Sequence, residues 1–297
     1  MAAGWARLRD TEELPMQRAL STHLLVNHRL TTVWLDRIWD AGIPLVELFC
    51  ARQHLHYHNR AQISELGYWF RDAELRVHSV HSPMHADDVW GRSGPDAVLN
   101  ITEPVKSKRM RVVEEIKRAL EIAELVPFRY LVQHIGVVEQ EFNERAVEAA
   151  FSALEQISLF AGQRGVEVLL ENTPNSLSSA ERLLVFLELT HLDLNVCFDT
   201  GHANMNEGVE TAFRLLKPRI RSTHVHDNNG KEDLHLFPLA PGGTIDWRRT
   251  MHALRSRADQ YPLLLELREP PDLPHPIEAA RRVFDRLEEM RPPDQNG

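Results

Sequence analysis

Short runs of apolar residues alternate along the chain with longer segments in which apolar residues recur every three or four positions. The short runs predict buried β-strands, and the longer segments predict amphipathic helices. The predicted strands are residues 21–27, 45–49, 76–81, 130–135, 166–171, 194–199, 220–227 and 263–267. The predicted helices are residues 31–41, 60–73, 107–125, 143–164, 179–190, 208–216, 247–258 and 277–290.

This alternation of strands and helices predicts a closed parallel barrel, because the strands read as apolar on both faces, as in sheets covered by helices. An open doubly wound sheet is the alternative. No GxGxxG or GxxxxGK[ST] motif follows a predicted strand, which argues against the nucleotide site of that fold. We therefore expect a single-domain α/β fold, a (β/α)8 TIM barrel, over residues 19–290. An N-terminal extension over 1–18 and a C-terminal tail over 291–297 complete the predicted organisation.

Three loop segments carry further local signals. The connection over residues 82–105 is the longest, and a βα loop of that length often forms part of a substrate site. Ser178, with Glu181 three residues later, predicts a capping box at a helix start. Asp246 predicts another helix cap, and the glycine-rich segment before it could present N–H groups to an anionic substrate.

Composition narrows the class of partner. The 297 residues, 43% hydrophobic and 26% charged, are typical of a folded globular protein. A net charge of −9, from 34 Lys and Arg against 43 Asp and Glu, disfavours nucleic acid and anionic lipid as partners. No segment resembles a signal peptide or a membrane span, and Cys50 and Cys197 suggest buried free thiols. We expect a cytoplasmic protein that does not bind membranes; its oligomeric state is open, a homo-oligomer included.

Side chains that can ligate a metal fall at the C-terminal ends of successive predicted strands. In a barrel these ends meet at one mouth, where catalytic groups lie. The chain also has 16 histidines, which strengthens the expectation of a metal site. The strand-end residues are His81, His134, Glu171, Asp199, His224 and Glu266.

Three of these residues, Glu171, Asp199 and Glu266, are carboxylates that follow apolar strand residues. A buried carboxylate must be paired, hydrogen-bonded or bound to a metal, and each one alone could be a salt-bridged rim residue. Together with His224 they would repel one another unless a divalent cation neutralised them. This mixed donor set predicts Mn²⁺ or Zn²⁺, with Fe²⁺ or Co²⁺ as alternatives.

A second set of candidates lies just beyond the strands. His202, Asp233 and His235 could hold another ion or bind substrate hydroxyls, and ordinary loop polarity is the alternative. His226 shares a strand face with His224, since side chains two residues apart point the same way, and it is a rival ligand.

Three further residues are candidates for supporting roles. Glu47 could orient a ligand histidine through its second ring nitrogen, or form a plain salt bridge. Trp90 and Trp247 could line a sugar pocket by stacking, although tryptophans in loops and at helix starts often serve packing. No GxSxG, HExxH or SxxK motif occurs, so covalent catalysis is disfavoured.

The ordered motifs resemble those of the xylose isomerase-like TIM-barrel superfamily, from about residue 20 to residue 290. That superfamily includes sugar and sugar-phosphate isomerases and epimerases, inosose dehydratases and endonuclease-IV-type apurinic endonucleases, so the resemblance implies a fold and a metal site but not one reaction. The segments that carry it are Leu169-Leu-Glu-Asn-Thr, Cys197-Phe-Asp-Thr-Gly-His202, His224-Val-His-Asp-Asn, Asp233-Leu-His235, Gly242-Gly-Thr-Ile-Asp246 and Leu265-Glu266.

The two best-matching branches imply different ligand sets. The epimerase branch implies Glu171, Asp199, His224 and Glu266 as metal ligands, with the two glutamates as acid/base groups and His202 binding substrate. The chain departs from the tagatose-epimerase type at Leu177 and Gly230, where that type has glutamate and arginine. The endonuclease branch implies a three-zinc cluster, whose nine ligands map to His81, His134, Glu171, Asp199, His202, His224, Asp233, His235 and Glu266.

These expectations favour a divalent-metal-dependent isomerase or epimerase of a small sugar or sugar phosphate. Glu171 and Glu266 would transfer a proton through an enediolate. The alternatives are a multi-zinc phosphoesterase, an inosose-type dehydratase, and a protein that binds metal or sugar without turnover.

Overall fold

The computed structural model describes residues 15–292 as a barrel of parallel strands surrounded by helices. The strands are β1 (Arg18–Ser21), β2 (Leu45–Phe49), β3 (Arg76–His81), β4 (Tyr130–His134), β5 (Glu167–Glu171), β6 (Asn195–Asp199), β7 (Ile220–His224) and β8 (Leu263–Leu265). The helices are α1 (Thr32–Asp40), α2 (Arg60–Asp72), α3 (Lys106–Leu120), α4 (Glu144–Gly162), α5 (Ala180–Leu189), α6 (Thr200–Met205), α7 (Val209–Leu216), α8 (Trp247–Arg255) and α9 (Pro276–Glu288).

The sheet order follows the chain and closes on itself, which is the arrangement of a single-domain (β/α)8 TIM barrel. Strands β1 to β7 pair in sequence order and β8 pairs with β1, all in parallel. Just past β7, the Val225 amide donates to the Leu264 carbonyl at 2.8 Å, and this bridge joins β7 to β8. The predicted fold class is therefore confirmed.

The apolar sides of the amphipathic helices face the barrel, as predicted. On α4, for example, Ala150, Ala153, Leu154 and Ile157 are fully buried against the sheet layer. The barrel interior holds a separate small apolar cluster of Tyr130, Val132, Leu169 and Cys197, which fills the space beneath the polar mouth. Cys50 and Cys197 are both buried free thiols, as expected.

The first predicted strand, residues 21–27, is wrong in position. The strand is β1, and residues Thr22–Leu25 form a 3₁₀ turn in which the Ser21 hydroxyl accepts a hydrogen bond from the His23 amide at 3.3 Å. A short buried apolar run can be strand or turn, and the pattern of apolar residues alone does not separate the two. The predicted extension over 1–18 and tail over 291–297 lie mostly outside the described residues, and the domain limits stay a prediction.

Two helix starts also differ from expectation. The cap of α5 is Ser179, whose hydroxyl accepts from the Arg182 amide, and not Ser178. Ser178 is fully buried and its hydroxyl donates to the Ile135 carbonyl at 2.9 Å, so it is not free to cap. Helix α6, which the sequence interpretation missed, starts directly after Asp199.

The remaining differences are at the ends of elements. Strands β7 and β8 end at His224 and Leu265, three and two residues before their predicted ends. Helix α3 continues as a 3₁₀ turn over Glu121–Glu124, and α8 ends at Arg255, three residues before the predicted end.

Among residues 15–292, no helix combines the length and the apolarity that crossing a membrane requires.

Candidate metal centre

The predicted ligand-type side chains converge at the C-terminal mouth of the barrel. His81, His134, Glu171, Asp199 and His224 are the last residues of β3 to β7, and Glu266 follows β8 directly. Each strand delivers its last side chain to the same end because all eight run in parallel. Glu171, Asp199 and His224 have no solvent exposure at all.

The donor atoms form four groups, within each of which all atoms lie within 4.8 Å of one another. Three of them are named here, and the fourth, His81, His224 and Glu266, consists of members of these three. We call Glu171, Asp199, His224 and Glu266 the central group. The inner-wall group is His81, His134 and Glu171, and it shares Glu171 with the central group. The rim group is His202, His226, Asp233 and His235. All nine residues expected from the endonuclease branch therefore lie at one mouth of the barrel, and His226 lies there with them.

Glu171 contacts a histidine of each of the three named groups. Its carboxylate oxygens lie 3.0 Å from His134 Nε2, 3.1 Å from His224 Nδ1 and 3.2 Å from His202 Nδ1. The second glutamate, Glu266, contacts the same ring nitrogen, with a carboxylate oxygen 3.3 Å from His224 Nδ1. One ring nitrogen thus faces two carboxylates that come from different strands, β5 and β8.

Backbone carbonyls fix the orientation of three of the histidines. The Nδ1 atom of His81 donates to the Ser82 carbonyl at 2.8 Å, that of His202 to the Asn172 carbonyl at 2.9 Å, and that of His235 to the Glu266 carbonyl at 3.1 Å. A carbonyl only accepts, so Nδ1 carries a proton in each ring. The Nε2 atoms face carboxylates, that of His81 lying 3.5 Å from Glu171 and those of His202 and His235 lying 3.4 and 3.3 Å from Asp233. The contact of Nδ1 with a carbonyl is how proteins orient metal-ligating histidines.

The His224 ring is held through Nε2 rather than through Nδ1. Its Nε2 donates to a carboxylate oxygen of Glu47 at 3.1 Å, and its Nδ1 faces the central group without a hydrogen-bond partner. Glu47 is fully buried and also accepts from the Ser79 hydroxyl at 2.7 Å. The structure thus places Glu47 where it orients His224, one of the two roles considered for it.

His226 links the central group to the rim group. Its Nε2 donates to Asp199 at 3.0 Å, and its ring stacks on that of His235 with centroids 4.0 Å apart and planes at 19°. Two nearly parallel rings cannot both direct a ring nitrogen at one cation, so His226 is better suited to hold Asp199 than to share an ion with His235. A Cβ on Gly201 would lie 2.0 Å from His226 Cε1, so only glycine fits there.

The charges at the mouth shift each other's ionisation. Burial alone would raise the pKa of Glu171, but the imidazoles of His224 and His134 hold that pKa well below its usual range. Burial alone would lower the pKa of His202, but Asp199 and Asp233 raise it well above its usual range. The mouth is therefore a mutually stabilising set of ionisable groups with strongly perturbed pKa values, which is typical of functional sites.

The donor set fits a divalent metal. Glu171 Oε1, His224 Nδ1 and Asp233 Oδ1 are buried and have no hydrogen-bond partner, although unpaired buried polar atoms are costly. All donors are imidazole nitrogens and carboxylate oxygens, which suit Mn²⁺, Fe²⁺, Co²⁺ and Zn²⁺. A cation at the central group would satisfy the unpartnered atoms of Glu171 and His224 together.

A cavity of about 260 Å³ opens beside these groups. It reaches His81, His134, His202 and Asp233 on one side, and the long loop after β3 covers the other. That loop was expected to form part of a substrate site, and its residues Ser82 to His85 and Val98 to Leu99 line the cavity. The volume is below the range of about 300–1,000 Å³ that is typical of pockets for drug-sized ligands, which indicates a small ligand.

The two tryptophan candidates lie in different surroundings. Trp247 is 3% exposed, and its Nε1 donates to Asp227 at 2.6 Å. Trp90 is half-buried and packs edge-on against His23 and Phe49, with centroids 5.5 and 5.3 Å apart, at the rim of the mouth. Neither lines the cavity beside the donor groups.

The glycine-rich loop before α8 binds a carboxylate of the protein itself, that of Asp227. The amides of Thr244 and Ile245 donate to Asp227 Oδ1 at 3.0 and 3.2 Å. A Cβ on Gly243 would lie 2.3 Å from the same carboxylate, so glycine is required for the loop to approach. Asp246 caps α8 by accepting from the Arg249 amide, as predicted.

Some residues around the site were not predicted from the sequence. Ser82 and Gln133 line the cavity, Asn172 orients His202, and Asp227 anchors the loop before α8. Each is the direct chain neighbour of a predicted ligand or rival ligand, and Ser82 also begins the loop expected to form part of a substrate site.

A family model named for the xylose isomerase-like TIM barrel matches residues 35–290, so the chain belongs to that family. An uncharacterised protein of Methanocaldococcus jannaschii is 30% identical over 235 residues, which are 75% of this chain and 74% of that protein. A probable endonuclease 4 of Natranaerobius thermophilus is 30% identical over 152 residues, but these are only 44% of this chain and 52% of that protein.

Among solved structures, a D-tagatose 3-epimerase-like protein aligns with a TM-score of 0.71 at 23% identity, covering 92% of this chain and 97% of that one. A Thermus thermophilus protein soaked with zinc chloride aligns with a TM-score of 0.65 at 22% identity, covering 91% of this chain and 96% of that one. At these identities the structural matches show the shared fold.

Proposed function

We propose that this protein is a divalent-metal-dependent isomerase or epimerase of a small polyhydroxylated carbonyl compound. The observation that carries the proposal is the presence of two glutamates, Glu171 and Glu266, at 3.1 and 3.3 Å from His224 Nδ1, in a donor cluster whose histidines line a cavity of about 260 Å³. Two carboxylates on opposite sides of a small substrate can remove a proton from one face of a carbon and return one to either face.

The central group would hold the cation through Glu171, Asp199, His224 and Glu266. When bound, a divalent metal supplies Lewis-acid stabilisation of the negative charge that develops on a carbonyl and its neighbouring hydroxyl. His224 is held in place by Glu47. His202 would bind substrate, which its position in the cavity lining supports. Mn²⁺ and Zn²⁺ are the metals we propose, with Fe²⁺ and Co²⁺ as further members of the same class.

The protons are moved by side chains of the chain itself. Glu266, as a carboxylate, would take the proton from the carbon next to the carbonyl. Glu171, which would first receive a proton from water, would return one to that carbon, and Glu266 would lose its proton to water before the next turnover; the reverse direction exchanges the two roles. The buried mouth keeps bulk water from the enediolate between the two steps, while the two carboxyl groups equilibrate their protons with water between turnovers. Elimination from a ring substrate, as in a dehydratase, would use the same proton abstraction.

The partner that we propose is a small carbohydrate rather than nucleic acid. The net charge of −9 and the small cavity both support a compact substrate. We also propose a cytoplasmic location, which the two buried free thiols support.

The test measures whether the protein exchanges carbon-bound hydrogen of a sugar for deuterium in D₂O. Metal-loaded protein is incubated with a panel of three- to six-carbon ketoses and aldoses, and loss of C–H signals is followed by proton NMR. We expect exchange with at least one sugar, and a decrease of about 10²- to 10⁴-fold in Glu266→Gln, the usual contribution of a general base. Metal content is measured on each variant so that loss of the ion is separated from loss of the base.

Glu269→Gln is the matched control, because Glu269 pairs with His28 at 3.0 Å and belongs to none of the donor groups. We expect it to retain full exchange. Exchange that survives in Glu266→Gln would remove the proposed base. A fully metallated protein that exchanges no hydrogen of any sugar in the panel would contradict the proposed function.

A second candidate is a multi-zinc phosphoesterase, which the inner-wall and rim groups favour. Together with the central group they offer donors for more than one ion, and a probable endonuclease 4 is among the sequence relatives. Elemental analysis of protein purified without added metal tests it. Two to three zinc ions per chain with cleavage of abasic-site DNA at physiological salt would support this candidate, whereas one ion and no cleavage would count against it.

A further inference from the structure

The cavity beside the donor groups contains two buried polar side chains whose hydrogen-bonding capacity is not used. Ser82 is 2% exposed and Gln133 is 4% exposed, and both line the cavity. Ser82 Oγ and Gln133 Oε1 have no hydrogen-bond partner, while the Gln133 amide nitrogen donates to the His134 carbonyl at 2.9 Å. Because the amide nitrogen is engaged, the orientation of the Gln133 side chain is set and its oxygen is left as an acceptor.

Such unpartnered groups are expensive in a folded protein. A buried polar atom without a partner costs about 1–3 kcal/mol, and a ligand hydroxyl that supplies the missing bond recovers that cost. Ser82 can donate or accept, and Gln133 Oε1 can only accept. The pair therefore matches an uncharged hydroxyl, which can donate to Gln133 and bond to Ser82.

The rest of the cavity wall is unsuited to an anion. Among the described residues, 15–292, no lysine or arginine lines the cavity, and Asp233 adds a carboxylate to it. The remaining wall is largely apolar and includes Met84, Val98 and Val137. The imidazoles of His81, His134 and His202 in the wall already face carboxylates of Glu171 or Asp233 within 3.5 Å. A phosphate in this space would therefore lose its water without gaining an unpaired cation, whereas an apolar wall can contact the C–H faces of a sugar.

We propose that this cavity binds the uncharged, hydroxyl-bearing end of the substrate, and that Ser82 and Gln133 select an unphosphorylated sugar over its phosphate ester. This inference rests on the proposed function, since it assumes that the reacting end of the sugar lies at the central group. Ser82 and Gln133 are specificity-determining residues in this assignment, and the proton transfer remains with Glu171 and Glu266.

Two enediolate analogues that differ by one phosphate test the selection. D-Arabinonohydroxamate and its 5-phosphate are titrated calorimetrically into metal-loaded protein. We expect the unphosphorylated compound to bind at least 10-fold more tightly. Ser82→Ala and Gln133→Leu should each weaken its binding about 5- to 20-fold, while metal content stays unchanged. Ser158→Ala is the matched control, because Ser158 on α4 also has an unpartnered hydroxyl but does not line the cavity.

The outcomes separate this inference from the proposed function. Equal or tighter binding of the 5-phosphate, or unchanged binding in both variants, would overturn the selection by Ser82 and Gln133 even if sugar C–H exchange is observed. Failure of both hydroxamates to bind the fully metallated protein would contradict the enediolate chemistry and this inference together. The selection would be supported if the wild type prefers the unphosphorylated compound and if Ser82→Ala and Gln133→Leu, but not Ser158→Ala, bind it more weakly.

Discussion

The Nε2 atom of His224 lies 3.1 Å from a carboxylate oxygen of Glu47, and both side chains are fully buried. This contact leaves the Nδ1 atom of His224 facing Glu171 and Glu266. A carboxylate on the far nitrogen fixes the tautomer and the orientation of a ligand histidine and increases its basicity. The metal affinity of the central group should therefore depend on a residue that cannot itself reach the cation.

Glu47→Gln should lower metal affinity about 10- to 100-fold, the usual effect of removing such a partner. The measurement is competition with a chromophoric chelator, with circular dichroism to show that the fold is retained. Glu115→Gln is the matched control, since Glu115 accepts from His58 Nε2 at 3.0 Å in a cluster away from the donor groups. An affinity in Glu47→Gln equal to that of the control would show that Glu47 does not support the ligand.

The positions of the ligand residues could be predicted because strand direction alone brings them together. Apolar strands that end in Glu171, Asp199 and His224 must deliver those side chains to one mouth once the strands are parallel. The shift of the first strand to β1 did not affect the site, because none of the donor groups includes a residue of β1.

The partners of these residues could not be predicted in the same way. Whether Trp247 faces a ligand or donates to Asp227 depends on how the loop before α8 folds back, and periodicity carries no information on that. The role of Gly201 likewise follows from its 2.0 Å approach to His226, a residue that is distant in the sequence. Contacts of this kind are determined by tertiary packing rather than by local pattern.

Gly201→Ala should destabilise the protein by about 1–3 kcal/mol, the usual cost of overpacking. The added methyl group would displace His226 and, through it, Asp199, so metal affinity should also decrease. Urea unfolding and chelator competition measure the two effects. Gly162→Ala, at the end of α4 with no atom within 4 Å of the new Cβ, is the control and should gain up to about 1 kcal/mol. Similar behaviour of the two variants would contradict the packing role of Gly201.

His54 should make the folded protein sensitive to acid. Burial lowers the pKa of His54 to about 4, although its hydrogen bond to the His28 carbonyl opposes the shift. An unfolded histidine has a pKa of about 6.5, so below that pH the unfolded chain binds a proton that the folded chain does not. Stability is therefore full above about pH 6.5, falls as the pH drops towards 4, and has lost about 2 kcal/mol through this residue at pH 5.

Unfolding of the metal-free protein by urea at pH 7.5 and pH 5 measures this loss. His54→Gln, which cannot be protonated, should lose about 2 kcal/mol less than the wild type between the two pH values. His252→Gln on the exposed face of α8 is the control and should behave as the wild type. An unchanged pH dependence in His54→Gln would show that His54 is not the residue that carries it.

Asp227 should be more important for stability than for metal binding. Its carboxylate accepts from the amides of Thr244 and Ile245 in the loop before α8 and from Nε1 of Trp247, the first residue of α8. Asp227→Asn would turn an amide group towards some of these donors and leave them unsatisfied, at a cost of about 1–3 kcal/mol each. We expect a loss of about 3 kcal/mol in urea unfolding. Asp246→Asn should cost little, because asparagine also caps a helix. If Asp227→Asn were as stable as Asp246→Asn, the loop before α8 would not depend on this carboxylate.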